Sequence, residues 1–485
     1  MNTLRPLTAL SLLLLACTAT GQKNTKSPLE AWKRESMQAI DGRVSGYRDV
    51  ALRIWEYAEL GYQEVRSSEL LASELEKEGF RLEKGVAGIP TAFVATYGSG
   101  SPVIAVLAEY DALPGLSQQA VPEKKAAEGR SSGHGCGHHL FGTASMAAGI
   151  ELKRQMQRNG WKGTIKVFGC PAEEGGSGKV YMVREGLFED VDVAIHWHPD
   201  NENRVSLDGA LANKSAKFRF YGTASHAAAA PEQGRSALDA VEAMNHMVNL
   251  MREHMPGTAR VHYVITNGGK APNVVPDFAE VYYYSRHPDK TEVVKLFDRI
   301  VKAAEGAALG TGTRMEYEII GGTHDLLLLK GLNEDMHRNL VTAGGVNYSE
   351  SEAGFAKKIQ STLSGKAPAL EEASRTQPLS LPENYSPGST DVGDVSYRVP
   401  TVGFRTATWV PGTPAHSWQA VACGGTEIGV KGMMVAAKAM VCMGMDLLNR
   451  PDIVARAKSE FRQALGDYRY APLLGDRKPA LDYRK

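Results

Sequence analysis

Apolar positions along the chain fall into two regimes. Between residues 28 and 199, segments with helical spacing alternate with unbroken apolar runs. Residues 67–78 set Leu70, Leu71 and Leu75 on one face, which predicts a helix. Residues 103–107 are apolar without interruption, the mark of a strand covered on both faces. Residues 164–168 and 191–195 predict two further strands, and the Ala- and Met-rich 140–159 a helix. This alternation predicts an α/β fold, a mostly parallel sheet flanked by helices.

Past about residue 211 the pattern changes. Strands are predicted at 214–221, 261–266, 280–286 and 314–320, with helices at 236–255 and 290–308. The order β-α-β-β-α-β is that of a ferredoxin-like α+β domain. The α/β pattern resumes near residue 323, with a buried strand at 399–404 and a long apolar helix at 426–448, so this block reads as an insertion. The expected organisation is a catalytic domain over 28–211 and 323–449, an inserted lid or dimerisation domain over 212–322, and a charged tail over 450–485. Residues 376–387, rich in Pro and Ser, read as a loop, and no internal repeat is evident.

The first 27 residues stand apart. Arg5 precedes an apolar run over 7–16. That run falls short of the roughly 20 residues that span a bilayer but matches the core of a secretory signal. It ends in Leu14-Leu15-Ala16-Cys17, similar to a bacterial lipobox. The expectation is an exported, periplasmic protein anchored to the membrane through a lipid on Cys17; ordinary cleavage within 18–21 is the alternative. A length of 485 residues with 43% hydrophobic and 23% charged residues fits two globular domains. Lys plus Arg equals Asp plus Glu, 55 each, which removes any charge argument for a nucleic-acid partner. Besides Cys17 there remain Cys136, Cys170, Cys423 and Cys442. Export permits disulfides, but Cys170 and Cys442 lie in apolar runs and read as buried thiols, so none is expected.

Chemistry-bearing residues follow each predicted buried strand. Glu109 and Asp111 come after the first, Glu173 and Glu174 after 164–168, His196 and His198 after 191–195, and His416 after 399–404. Open parallel sheets place their sites beyond the carboxyl ends of the strands. Gly133-His134-Gly135-Cys136-Gly137-His138-His139 adds a thiol and an imidazole two positions apart, a pair suited to zinc or a similar divalent ion. Alone such a pair is more often a satisfied loop; with the other strand ends it becomes a ligand set. In an extended Glu173-Glu174 pair neighbouring side chains point opposite ways, so one carboxylate can bind metal while the other faces substrate. Two adjacent carboxylates are usually a solvated surface pair, but these follow a buried strand and Pro171. On alternation His196 and His198 share a face, and pattern alone does not separate them. The inserted block carries its own polar set: His226 within Gly222–His226, then Asn273 and Arg286. A capped loop histidine and a surface ion pair are their plain readings; a guanidinium at a strand end also suits bidentate carboxylate binding.

At these residues the chain resembles the dinuclear-metal peptidase superfamily that includes aminoacylases and glutamate carboxypeptidases. Within it the likeness is to the amidohydrolase branch typified by p-aminobenzoyl-glutamate, hippurate and auxin-conjugate hydrolases. The matching segments are AEYDALPG (108–115), GHGCGHHLFGTA (133–144), PAEEGGSGK (171–179), WHP (197–199), ASHAAAAP (224–231), APNVVPD (271–277), GSTDVGDVS (388–396) and TPAHSWQ (413–419). They span about 30–449; WHP, STDVGDVS and HSWQ are most similar to the aminobenzoyl-glutamate hydrolase group.

The resemblance implies two divalent metal ions, zinc or manganese with cobalt or nickel as options. Cys136 would bridge them, with His138, Glu174, His198 and His416 as the other ligands; the WHP match selects His198 over His196. Glu173 would be the general base for attack of a metal-held water, and Asp111 would stand behind the ligands. His226 would steady the oxyanion, across a homodimer in one arrangement, and Asn273 and Arg286 would contact substrate. The implied activity is hydrolysis of the amide of an N-acyl or N-aroyl amino acid bearing a free carboxylate, with a dipeptidase of the same fold as the alternative. A Cys136-nucleophile hydrolase and a non-catalytic binding protein are rivals of other classes. Three departures stand out, one being the lipobox, unusual for the cytoplasmic relatives. His139 occupies a position where many relatives carry Asp or Asn, a change expected to retune His138. Glu109 stands where the wider superfamily has a metal-binding His, though this branch commonly carries an acidic residue there.

Overall fold

Four parallel strands, Gly163–Gly169, Val103–Ala108, Val193–Asp200 and Thr401–Ala407, lie side by side in that order at the centre of the computed structural model. An antiparallel pair, Arg81–Lys84 and Phe93–Ser99, extends the sheet beyond Gly163–Gly169 to six strands. The structure describes residues 28–205, 207, 209–379 and 388–484. The signal and lipobox reading, and most of the loop expected at 376–387, lie outside these residues.

The unbroken run at 103–108 has a direct physical cause. Ile104, Val106 and Ala108 enter one hydrophobic cluster, and Ala105 and Leu107 enter another on the opposite face. The first cluster is roofed by helices His138–Asn159 and Glu427–Asn449; the second by Gly178–Arg184 and Val392–Ser396. A strand covered twice has no polar side to present, so its period-two signal vanishes. Glu427–Asn449 is apolar enough to cross a membrane by length and composition, but here it is a core helix, Met433, Met440 and Met443 being fully buried.

The second sheet is antiparallel, ordered Arg314–Thr323, Ala212–Tyr221, Phe278–His287, Arg260–Asn267. Helices Ala237–Met251 and Lys290–Thr311 pack on it around Phe218, Phe220, Val281 and Tyr283, giving the ferredoxin-like arrangement. Its first and last strands pair, with Asn213 opposite Thr323, so the chain leaves and re-enters the larger unit at adjacent points.

Three expectations need correcting. The strand expected at 191–195 runs Val193–Asp200, so His196 and His198 lie within it rather than beyond it. The helix expected from 140 begins at His138. The helix expected to reach 255 ends at Met251 and tightens into a 3₁₀ turn, Arg252–His254. The four described cysteines are free and buried. Beyond helix Pro451–Leu465 the chain runs irregularly back over the larger unit to Arg484.

Candidate metal centre

The glycine-rich segment before helix His138–Asn159 is shaped by one backbone requirement. Gly137 has φ +76°, and a Cβ there would come within 2.6 Å of the Pro199 ring. Only glycine meets both conditions. The turn sets His138 at the helix start, its Nδ1 2.8 Å from Asp111 Oδ1 and its Nε2 3.2 Å from Glu109 Oε2. The other Asp111 oxygen accepts the Glu174 N–H at 2.9 Å, so one carboxylate joins the histidine turn to the Glu173-Glu174 loop. His139 faces away: its Nε2 lies 3.0 Å from the Gly424 carbonyl and its ring packs on His134. That contact gives His139 a structural role beside the histidine turn. Gly137→Ala should destabilise the fold by at least about 1–2 kcal/mol from the left-handed backbone alone, read as a fall in thermal midpoint.

Two trios of donor atoms form around one sulfur. Cys136, His138 and His198 make the first, and Cys136, Glu174 and His416 the second, with the donor atoms of each trio within 4.8 Å of one another. Cys136 Sγ lies 3.3 Å from His198 Nε2, and His416 Nε2 3.1 Å from Glu174 Oε1. His416 sits at φ +57°, unusual for a residue with a Cβ, and its N–H bonds the Gly135 carbonyl at 2.8 Å. The strained loop is thereby pinned to the Cys136 turn. Glu173 joins Glu109 and His138 in a third group of the same span.

His138 Nε2 and Glu174 Oε1 are buried and form no hydrogen bond of good geometry, their nearest polar neighbours being Glu109 Oε2 at 3.2 Å and His416 Nε2 at 3.1 Å. Buried polar atoms left unpaired are costly, and here they converge on one small volume. A thiol, imidazoles and a carboxylate are the donors that zinc and similar ions take, so the residues fit a divalent cation pair. The electrostatics follow from burial. Burial, then the Glu174 charge, pushes the Cys136 thiol up; burial, then Arg405, pushes His198 far down. Burial disfavours charge on His138, but Cys136, Asp111 and Glu109 outweigh it and hold its pKa well above the imidazole range. Burial, then Glu109 and Glu174, raises Glu173 well above the usual carboxylate range.

Behind the trios lies a buried charge network. Lys179 Nζ is 2.6 Å from both Glu109 Oε1 and Asp391 Oδ1, all three side chains being at most 1% exposed. Glu109 is thus anchored by an ammonium. His196 points from the same sheet face as His198 but packs over Gly403, where a Cβ would collide with its ring, and it joins no trio.

A cavity of about 570 Å³ contains Cys136, Glu173, Glu174, His198 and His416 together with Asn213, Tyr284 and Arg286 of the second sheet. Arg286 Nε is buried without a partner there. His226 and Asn273 are outside this cavity and exposed. His226 Nδ1 accepts the Ala228 and Ala229 N–H groups at 3.2 and 3.1 Å, leaving its Nε2 facing outward.

Sequence reasoning passed over Lys179 and Asp391. Both stand inside quoted segments, PAEEGGSGK and GSTDVGDVS, and a lysine among apolar neighbours was the available signal. Tyr62, Glu64, Tyr483 and Arg484, which hold the carboxylate loop, carry no local signal because they act through backbone groups.

Residues 105–421 match the model of peptidase family M20/M25/M40. The chain is 42% identical over 450 residues to one of the subunits of p-aminobenzoyl-glutamate hydrolase of Escherichia coli, covering 88% of this chain and 94% of that one. It is 31% identical to Xaa-Arg dipeptidase of Mus musculus, covering 90% and 94%. Among solved structures, an aminobenzoyl-glutamate utilization protein from Klebsiella pneumoniae superposes with TM-score 0.59 at 19% identity, over 85% of this chain and 98% of that one. A dinuclear metal binding peptidase of Bacillus subtilis superposes with TM-score 0.57 at 17% identity, over 85% and 99%. A matched segment longer than half the chain, and a relative aligned along nearly its whole length, place it in one family: the chain is a member of peptidase family M20/M25/M40, metal-dependent hydrolases of amide bonds.

Proposed function

We propose that the protein hydrolyses the amide of an N-acyl or N-aroyl amino acid of the p-aminobenzoyl-glutamate kind. The observation that carries this reading is the sharing of Cys136 by two donor trios in the cavity that also holds Arg286. Cys136, His138 and His198 would hold one divalent cation, and Cys136, Glu174 and His416 the other, with zinc or manganese as the natural occupants. When bound, such a pair polarises the scissile carbonyl and makes water a better nucleophile at neutral pH. Asp111 fixes the His138 ring by its bond to Nδ1, which presents Nε2 toward the trio. Glu173, half-buried beside both trios, takes the proton of the attacking water and delivers it to the departing amine nitrogen. Arg286 binds the free carboxylate as a planar donor fork, with Asn213 and Tyr284 beside it.

His226 and Asn273 reach a substrate only from another copy of the chain. A homodimer through the edge strand Arg260–Asn267 accounts for their position, and the exposure of Val264 and Ile265, 55% and 40%, supports it. Export and a lipid on Cys17 belong to the same proposal.

A second reading, dipeptide hydrolysis, has support in the similarity to Xaa-Arg dipeptidase. A thiol hydrolase has less: a Cys136–His198 pair makes no use of His138, Glu174 and His416, which complete the two trios. A panel of N-acyl amino acids, p-aminobenzoyl-glutamate and Xaa-Arg dipeptides, assayed before and after chelation, separates these readings. Aroyl-glutamate should be cleaved best, chelation should abolish turnover, and zinc or manganese should restore it. Activity that survives chelation but not thiol alkylation would overturn the metal reading, and a preference for basic dipeptides would exchange the first substrate class for the second.

A further inference from the structure

The loop that carries Glu173 and Glu174 is held in an unfavourable shape. Ala172 and Ser177, neither a glycine, have φ +56° and +59°, and Gly175 between them has φ +94°. Backbone in sparsely populated regions persists only where its surroundings over-determine it, at a cost of order 1–3 kcal/mol per residue. Four fixings do so here. The Ala172 N–H donates to Glu64 Oε1 at 2.8 Å, and the Glu174 N–H to Asp111 Oδ2 at 2.9 Å. Tyr62 Oη donates to the Gly176 carbonyl at 2.7 Å. The fourth comes from the far end of the chain: Tyr483 Oη and Arg484 Nη2 both donate to the Glu174 carbonyl, at 3.1 and 2.9 Å.

The segment that brings these two donors is fastened along its length. Arg184 donates to the Gly475 and Arg477 carbonyls, Gln63 to the Leu481 carbonyl at 2.8 Å, and Arg477 to the Ile320 carbonyl at 3.0 Å. The Tyr483 ring meets the Tyr62 ring edge-on at 5.6 Å, and a side chain at Gly61 would strike the Tyr483 hydroxyl. A solvated tail would form none of these bonds; each costs the ordering of a flexible segment.

We propose that residues 466–484 form a strap whose function is to set the metal-ligand loop, with Tyr483 and Arg484 as positioning residues for Glu174. The claim rests on the assignment of Glu174 as a ligand. The strap touches the peptide unit of that ligand and not its carboxylate, so it works by fixing where Oε1 points rather than by changing its charge. Groups that orient a ligand in this way typically govern metal affinity by about 10- to 100-fold.

The test compares metal retention in the full chain, by competition with a chromophoric chelator, and the visible spectrum of the cobalt-substituted protein. Y483F/R484M should bind the second equivalent about 10-fold more weakly and show an altered cobalt spectrum. R484K, which keeps a donor, should stay near wild type. A folded double variant with wild-type metal affinity and spectrum overturns the proposal. Should the double variant not fold, Y483F alone decides, because it keeps the ring against Tyr62 and removes only the hydroxyl bond; unchanged affinity there overturns it equally. E174A tells the two failures apart. If it keeps both equivalents, the ligand assignment falls; if it loses metal while the strap variants do not, the strap alone falls.

Discussion

Glu173→Ala will lower kcat by about 10²- to 10⁴-fold, the usual contribution of a positioned general base. Substrate KM should change little, since the Arg286 contact is untouched. Metal content is the discriminating measurement. Glu173 belongs to neither trio that includes Cys136, so both equivalents should remain bound in the variant. It does group with Glu109 and His138, which gives the experiment a sharp alternative. Loss of one metal equivalent would make Glu173 a ligand, and normal turnover would remove it from the proton transfer altogether. Glu173→Gln should resemble the alanine variant, because it keeps the shape of the side chain and loses only the basic oxygen.

The largest effect on stability is expected at Lys179, buried behind the Glu109 and Asp391 side of the cavity. Lys179→Met would strip Glu109 and Asp391 of the ammonium they share in the interior, leaving Glu109 only His138 as a positive neighbour. Removing one partner of a buried ionic group costs roughly 3–5 kcal/mol, several times the value of a surface ion pair. The pH signature has a definite sign. Burial already raises Glu109 and Asp391, and Lys179 is the leading influence opposing it. Without the ammonium both carboxyls rise further. A carboxyl whose folded pKa stands above its unfolded value supplies stability that is complete at low pH and lost as pH climbs through the folded pKa. Thermal midpoints of Lys179→Met should therefore fall more steeply than those of wild type between mildly acidic and mildly alkaline pH. Parallel curves would show that Lys179 does not hold the two carboxylates ionised.

Much of the fold was legible because its elements were marked by period. The 103–108 strand and the helices at 138–159 and 427–449 carry enough apolar residues to be read without a partner. The edge pair was not legible. Arg81–Lys84 is four residues long and largely exposed, so it has neither a hydrophobic run nor a clear alternation, and its pairing with Phe93–Ser99 is supplied by the sheet. The five proposed ligands were legible as strand-end residues and motif members, and they do converge. What the sequence could not separate was His196 from His198. They share a face, and the difference is set by Gly403, on a neighbouring strand, which leaves His196 room to lie flat. His226 and Asn273 show the opposite limit: their motifs are clear, yet nothing in one chain brings them to the cavity.

The order in which the proposed ligands occur along the chain has a consequence for biosynthesis. Cys136, His138 and His198 all emerge from the ribosome before the first strand of the four-stranded sheet, and Glu174 emerges with them. His416 follows only after that whole sheet and the last parallel strand, Thr401–Ala407, have been made. A nascent chain halted in between possesses one complete donor set and an orphaned carboxylate. The final imidazole, fixed to Gly135 through its own backbone, is the last member of the two sets to be synthesised.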